Sequence, residues 1–245
     1  MNLKKLHKRL RPRLAMDFAH LGDIIHTPNG LTVYIDRGAP ILGVAHLDYV
    51  MWAPPKHTGH IVQCPQLDDR LGVWILLDVL PSYGIKCDVL LTDSEELGLS
   101  TGEYFDPPKR YNWMFQFDRA GTDATMYQYE RAVYRAMLQD HGITVNMGTY
   151  SDISTMEHLE CIGINFGCGY RHQHTTHCYA NLHDTKMMVQ KFRNFAAEYQ
   201  HIPLAHEPYI RQPYESYPQQ PYNYIDEGYL YDIPEADWHY TRNDR

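Results

Sequence analysis

The sequence lacks any apolar stretch long enough to cross a membrane. A spanning helix needs about 18 consecutive apolar residues or more, whereas the longest apolar run here, 73–80, contains Asp78. The N-terminal segment 1–14 is basic, but it has no apolar centre of the kind that a signal peptide carries. We therefore expect no membrane span and no export by that route.

Cysteine is scarce and shows no paired spacing. The five cysteines form an odd set without a C-x-x-C pair, which argues against a disulfide framework and for a reducing compartment. The sequence shows no His and Asn residues that would mark Cys64 as a thiol nucleophile, so we interpret Cys64 as a small buried residue. These features predict a cytoplasmic protein.

Positive charge is in deficit, with 22 Lys and Arg against 30 Asp and Glu and a formal net charge of −8. Binding a nucleic-acid backbone requires clustered cations that replace its counterions, so we expect no nucleic acid among the partners. The sequence also lacks G-x-S-x-G, a Walker loop and a G-x-G-x-x-G motif after a strand. The enzyme classes that depend on those motifs are therefore not indicated.

Strand-like and helix-like patterns alternate through most of the chain, which predicts an α/β sheet with helices on both faces. We expect a basic N-terminal helix over 1–14, packed on the domain with its basic face solvated, and a single domain over 15–200. Strands are predicted over 31–35, 41–45, 88–91, 113–117, 143–147 and 161–166, and helices over 69–79, 97–104, 131–140, 151–158 and 182–199.

The last segment, 201–245, differs in composition from the rest of the chain. It is acidic, rich in proline, poor in aliphatic residues and holds eight of the 20 tyrosines. A segment of this kind buries too little apolar area to offset its ordering entropy by itself. Two interpretations stay open: a disordered tail, or an arm docked on the domain, on a second copy of the chain or on another partner.

Metal-ligand types follow several predicted strands. In open α/β sheets, ligands bind beyond the carboxyl ends of the strands, and one imidazole and several carboxylates would arrive at that edge. A mixed set of nitrogen and oxygen donors suits Zn²⁺, or Mn²⁺ or Co²⁺, better than Mg²⁺. The residues are His46, Asp68, Glu95, Glu96, Asp118 and a histidine from 169–177.

The number of these residues favours two metal ions that share a carboxylate, because a single catalytic zinc uses fewer protein ligands. Carboxylates crowded together also repel one another unless a cation lies between them. Each short motif has an ordinary structural explanation, such as a helix cap or a first-turn acid. The joint occurrence at strand ends is what favours a metal site.

The series "AHLD", "LDDRLG", "TDSEELG" and "FD" with a late histidine resembles the co-catalytic di-zinc exopeptidases, which include aminopeptidases, peptidase T and carboxypeptidase-like amidohydrolases. The resemblance spans 30–199 and implies a three-layer sandwich with a mixed, mostly parallel sheet. It implies that one metal is bound by His46 and Asp118. The other is bound by Glu96 and the late histidine, and Asp68 bridges the two.

The resemblance also implies two catalytic roles. Glu95 would be the general base that acts on the water between the metals, and Asp48 would orient His46, as expected for a metal-bound imidazole. The late histidine aligns best with His174, followed by His177, and Cys178 stands where an acidic residue often occurs. Substrate contacts are expected from Tyr170 and Arg171. The competing candidates for the last ligand are His172, His174, His177 and His183.

The resemblance implies a metal-dependent hydrolase that cleaves a peptide or amide bond at a chain end, most similar to an aminopeptidase. The interval from Asp118 to His174 shows ordinary βα patterns, so we expect no inserted lid domain. Two alternatives stay open: an N-acyl amino-acid deacylase, and a non-catalytic binding or structural protein that retains the fold. The presence of Glu95 and of the whole ligand set argues against the second.

Overall fold

The computed structural model describes residues 2–207. Expectations for the arm 201–245 therefore fall almost entirely outside the described residues. The described core nevertheless continues past the boundary expected at residue 200, because Leu204 and His206 are buried and the amide of Ile162 donates to the carbonyl of Leu204 at 2.9 Å.

A seven-stranded sheet forms the centre of the described part of the chain. Its order is β1-β2-β6-β3-β7-β9-β8, and the inner four strands, β6, β3, β7 and β9, are parallel. The outer strands pair antiparallel, so the sheet is mixed, as expected. The strands are β1 (Asp23–Thr27), β2 (Gly30–Ile35), β3 (Ile41–His46), β6 (Asp88–Thr92), β7 (Trp113–Arg119), β8 (Ala124–Thr125) and β9 (Gly163–Gly167).

A second, small antiparallel sheet stands beside the first, in the order β10-β11-β5-β4. The sequence patterns did not predict it, because its strands have only two or three residues. Its hairpin between β10 and β11 carries the loop that contains His174. These strands are β4 (Lys56–Thr58), β5 (Ile61–Gln63), β10 (Tyr170–Arg171) and β11 (Tyr179–Asn181).

The α-helices of the described residues that pack on the central sheet cover one of its faces. Gly43 of β3 allows this approach, since a Cβ there would lie 2.6 Å from the Leu76 side chain and 3.0 Å from Phe115. On the same face, the rings of Phe115 and Phe192 lie 4.5 Å apart. The helices are α1 (Leu3–Arg9), α2 (Leu67–Trp74), which continues through a π turn (Ile75–Val79) into α3 (Leu80–Ser82), α4 (Ala132–Asp140) and α5 (Leu182–Tyr199).

Short 3₁₀ helices cover the opposite face. Gln116 of β7 donates to Asp152 at 2.7 Å, and Ser100 donates to the same carboxylate at 2.5 Å. Local bonds between side chains and the backbone compete with α-helix formation. Ser100 accepts the amide of Gly102 at 3.0 Å, and Ser154 donates to the carbonyl of Ser151 at 2.6 Å. The segments 97–104 and 151–158 accordingly contain 3₁₀ helices and not the α-helices that we expected. The 3₁₀ helices beyond Ala15–Leu21, which lies beside α2 where Phe18 contacts Arg70, are Glu95–Leu97, Thr101–Tyr104, Tyr127–Tyr129, Asp152–Thr155 and Glu157–Leu159.

The segment 143–147, expected as a strand, makes only an isolated bridge between Val145 and Ala124. The N-terminal helix buries Leu6 and Leu10, and Arg9 donates to Asp78 at 2.8 Å. Among the described residues, no helix combines the length and the apolarity that crossing a bilayer requires.

Candidate metal centre

His46 ends strand β3 and is completely buried. Its Nδ1 lies 3.2 Å from the carbonyl oxygen and 3.3 Å from Oδ1 of Asp48, both of which are acceptors. A neutral imidazole therefore carries its proton on Nδ1 and presents the lone pair of Nε2 to the site. Within the described residues, Nε2 is buried without a hydrogen-bond partner.

Asp68 lies between the two imidazoles at the start of α2. Its Oδ1 is 3.2 Å from Nε2 of His46, and its Oδ2 is 3.1 Å from Nε2 of His174. The side chain is 8% exposed. One carboxylate oxygen is thus directed towards each histidine, which is the arrangement that a bridging ligand needs.

Glu95 and Glu96 follow β6 in a tight turn. Ser94 enters the turn with φ +62°, a left-handed backbone conformation, and the two glutamates begin a 3₁₀ helix. The Asp48 carboxylate accepts hydrogen bonds from the amides of Glu95 at 3.3 Å and Glu96 at 3.0 Å. Asp48 therefore fixes both the His46 imidazole and the turn that carries the glutamates.

Asp118 lies near the end of β7, next but one to β6 in the sheet. Its Oδ1 is 3.6 Å from Nε2 of His46 and accepts a hydrogen bond from the Tyr170 hydroxyl at 3.3 Å. Tyr170 is 2% exposed. The buried phenol therefore contacts a candidate metal ligand directly.

His174 is the late histidine that the structure brings to the cluster. Its Nε2 lies 3.0 Å from Oε2 of Glu96, and its backbone φ of +58° turns the loop inward. His183 instead stacks on His60 at 4.4 Å, and His172 faces Tyr179 at 5.8 Å.

Two other sequence candidates lie away from the cluster. His177 is an exposed residue of the same loop as His174, and its amide donates to the hydroxyl of Thr175 at 3.2 Å. Arg171 lies 3.5 Å from Asp184, and its side chain is about half exposed.

Electrostatics in the cluster favour a bound cation. Burial and the charge of Asp68 raise the pKa of Asp118 well above its usual range. Burial raises the pKa of Glu95 to about 8 and that of Glu96 to about 6. Burial opposes a proton on His46, but the charge of Asp118 and hydrogen bonds to the surrounding carboxylates together raise the pKa of His46. The protein alone therefore holds protons where a cation would relieve the repulsion.

The donor atoms fit divalent metal ions. Ligand atoms lie within 4.8 Å of one another in two groups, His46 with Asp68 and Glu96, and His46 with Glu95 and Asp118. Imidazole nitrogens combined with carboxylate oxygens are suited to zinc, manganese or cobalt. The unpartnered Nε2 of His46 inside this carboxylate cluster is explained by a cation that the residues would share.

The residues that follow Asp68 in the LDDRLG motif are buried, and two of them make hydrogen bonds to the backbone. Asp69 is buried and accepts the amide of Gly72 at 3.0 Å. A Cβ on Gly72 would lie 2.2 Å from the same oxygen, so only glycine fits there. Arg70 is buried and donates to the carbonyls of Arg13 and Leu47, both at 2.6 Å. It joins the N-terminal segment to the loop after His46.

A cavity of about 430 Å³ opens beside the cluster. It is large enough for a small ligand, by comparison with typical pockets of about 300–1,000 Å³. Its lining includes four residues of the cluster, namely Asp68, Glu95, Asp118 and His174, and a wall of residues outside the cluster. That wall includes Arg119, Tyr127, Thr149, Tyr150, Asn165 and Gln173.

Several polar residues at the site were not expected from the sequence. Asn165 is 2% exposed and bonds to the backbone of Asp118, and Asp152 is a buried carboxylate behind the glutamate turn. Tyr127 lines the cavity, and its backbone has a left-handed φ of +49°. The only signal in the sequence was a polar residue, Asn165, inside an otherwise apolar strand.

No protein-family model matches the chain, and no curated protein matches its sequence. Solved structures share its fold. A tripeptidase from Staphylococcus aureus matches with a TM-score of 0.58 at 11% identity, over 79% of this chain and 96% of that chain. A TET aminopeptidase from a marine sediment thaumarchaeon matches with a TM-score of 0.55 at 11% identity, over 82% of this chain and 96% of that chain.

The TET1 peptidase of Pyrococcus horikoshii gives a TM-score of 0.54 at 14% identity, over 79% of this chain and 98% of that chain. At these identities the likeness concerns the fold. The chain shares its fold with these solved peptidases, in agreement with the fold that the resemblance of its motifs implied.

Proposed function

We propose that the protein is a di-metal hydrolase that cleaves a peptide or amide bond at the end of a short chain, with aminopeptidase-like activity. The observation that carries the proposal is Asp68, whose two oxygens lie 3.2 Å and 3.1 Å from Nε2 of His46 and His174. One oxygen directed at each of two imidazoles, beside further buried carboxylates, is the arrangement expected of a ligand shared by two cations. The shared fold supports the same interpretation.

Two divalent cations, zinc by the chemistry of the donors, would be held by this cluster. His46 and Asp118 would hold one, Glu96 and His174 the other, and Asp68 would contact both. Bound there, such ions supply Lewis acidity and lower the pKa of an attacking water towards about 7.

Glu95 is the proposed general base. It lines the cavity, and its Oε2 is 3.8 Å from Nε2 of His46. In the proposed reaction its carboxylate accepts a proton from the attacking water and then delivers it to the leaving amine. Asp48 contributes by holding the Glu95 amide and the His46 ring in place.

The substrate would occupy the cavity beside Glu95. Tyr127, Thr149, Tyr150 and Gln173 line it, and side chains of these types can form hydrogen bonds with peptide groups. N-acyl amino acids present the same bond with an acyl group on the amine, and a deacylase remains the alternative activity. A non-catalytic role is disfavoured because Glu95 is present and directed into the cavity.

The proposal predicts two zinc ions per chain and turnover of a chain-end substrate. Elemental analysis of the purified full-length protein, equilibrated with zinc and then desalted, is expected to find two ions. Aminoacyl and N-acyl chromogenic substrates would then distinguish an aminopeptidase from a deacylase. One ion or none would contradict the di-metal site, and two ions without turnover of either substrate class would favour the non-catalytic alternative.

Arg171 and Tyr170 are proposed to contact the substrate. Arg171 lies with Arg119 and His172 around a shallow depression that shares Arg119 with the catalytic cavity. Tyr170 lines the cavity itself. A guanidinium at the edge of the cavity suits the free carboxylate of a short peptide.

Replacing Arg171 with glutamine is expected to raise KM for a dipeptide with a free carboxylate about tenfold, equal to about 1.4 kcal/mol. KM for the same dipeptide as its C-terminal amide should change little. Arg110→Gln is the matched control, because that arginine is 92% exposed and pairs with Glu160. Equal effects of Arg171→Gln on acid and amide would contradict a role in carboxylate binding.

Assembly of the chain is a separate matter. The P. horikoshii TET1 peptidase can assemble into a tetrahedron or a large octahedral shell. Self-association of this chain, or contact with another partner through the arm 201–245, stays a prediction of the sequence.

A further inference from the structure

Strand β7 contains a bulge beside the candidate metal ligand Asp118. The strand pairs in register with β9 up to Gln116 opposite Asn165, and pairing resumes at Arg119 opposite Gly167. An advance of three residues along β7 therefore matches an advance of two along β9, so β7 contains one extra residue. A bulge of this kind interrupts the ladder of backbone hydrogen bonds and redirects side chains.

The Asn165 side chain replaces the interrupted ladder at Asp118. Its Oδ1 accepts the backbone amide of Asp118 at 3.0 Å, and its Nδ2 lies 3.3 Å from the carbonyl oxygen of Asp118. Both peptide groups of Asp118 are thus held by one side-chain amide. Nδ2 also lies 3.0 Å from the hydroxyl of Tyr127, which lines the cavity.

We propose that Asn165 is a positioning residue that sets the Asp118 carboxylate for metal binding, an inference that rests on the proposed function. Asp118 sits in the redirected part of β7, where the ladder to β9 does not fix its backbone. Its Oδ1 must nevertheless stay close to Nε2 of His46, 3.6 Å away. Asn165 is 2% exposed, so its side-chain amide, and not bulk water, holds the Asp118 backbone.

A purely structural role predicts a different result from a positioning role. Asn165 would then only satisfy buried polar groups, and its loss would lower the melting temperature while both metal affinities stayed the same. A positioning residue affects the metal that Asp118 binds, since groups that orient a metal ligand typically contribute about 10–100-fold to affinity. Metal affinity, measured separately from stability, therefore distinguishes the two.

The test is a competition titration of zinc between the full-length protein and a chromogenic chelator. Asn165→Leu, which is similar in size and has no polar side-chain atoms, is expected to weaken one of the two zinc equivalents about tenfold or more and to leave the other within about threefold. Asn165→Ser provides a second variant in case the leucine variant does not fold. When the Asn165 variants are loaded with cobalt, the visible absorption of one of the two bound ions should differ from that in the wild type.

Asn112→Ala is the matched control. Asn112 directly precedes the same strand at its opposite end, and its Nδ2 donates to the carbonyl of Gln200 at 2.8 Å. This variant should lose stability without changing either zinc affinity. Asn165 variants with a lower melting temperature but two unchanged affinities would overturn the inference while leaving the proposed function intact. A wild-type protein with fewer than two zinc ions would overturn both.

Discussion

Glu95→Gln is expected to lower kcat by about 10²–10⁴-fold, the usual contribution of a general acid–base group. The zinc content should stay at two ions per chain. Glutamine keeps the size of the side chain, and the Glu95 backbone amide still donates to Asp48, so the turn is preserved. What is lost is the capacity to accept a proton from the attacking water and to deliver it to the leaving amine.

Parallel measurement of zinc content and of kcat tests this prediction. Glu103→Gln is a suitable control, because it removes an exposed carboxylate a few residues along the chain. A Glu95→Gln protein that binds only one zinc would show that Glu95 is a ligand and that the two glutamate roles are exchanged. That outcome has a geometric basis, since Glu95 can group with His46 and Asp118 within 4.8 Å.

The sequence predicted that the candidate ligands would lie close together, because their placement depends on a simple rule. Parallel strands end at one edge of a sheet, so polar residues after β3, β6 and β7 must meet there. His46, Glu96 and Asp118 follow this rule directly. The choice of His174 over His177 depended on the family resemblance, because a loop of several histidines carries no periodicity that could distinguish them.

The supporting contacts could not be predicted in the same way. Asn165 meets Asp118 only because of a one-residue bulge in β7, and a bulge leaves no pattern in the sequence. Asp48 was expected to orient His46, but its bonds to the amides of Glu95 and Glu96 depend on the left-handed turn at Ser94. Both contacts are fixed by the register and turns of the folded chain.

The fold was predictable to a similar degree. Inner strands such as Ile41–His46 and Trp113–Arg119 are long apolar runs, and their positions agree with the sequence patterns. The 3₁₀ helices were mistaken for α-helices, because the spacing of their apolar residues does not reveal the local bonds that Ser100 and Ser154 make to the backbone. The small second sheet was missed because two- and three-residue strands have no alternation.

Asp68→Ala is expected to abolish tight binding of both zinc ions. Its two oxygens face His46 and His174, so its removal deletes a ligand from each position. His174→Ala, in contrast, should weaken only the ion that is proposed to be shared with Glu96. Elemental analysis and zinc titration of the two variants would establish whether Asp68 bridges the ions. An Asp68→Ala protein that keeps one zinc with wild-type affinity would identify Asp68 as a ligand of a single ion.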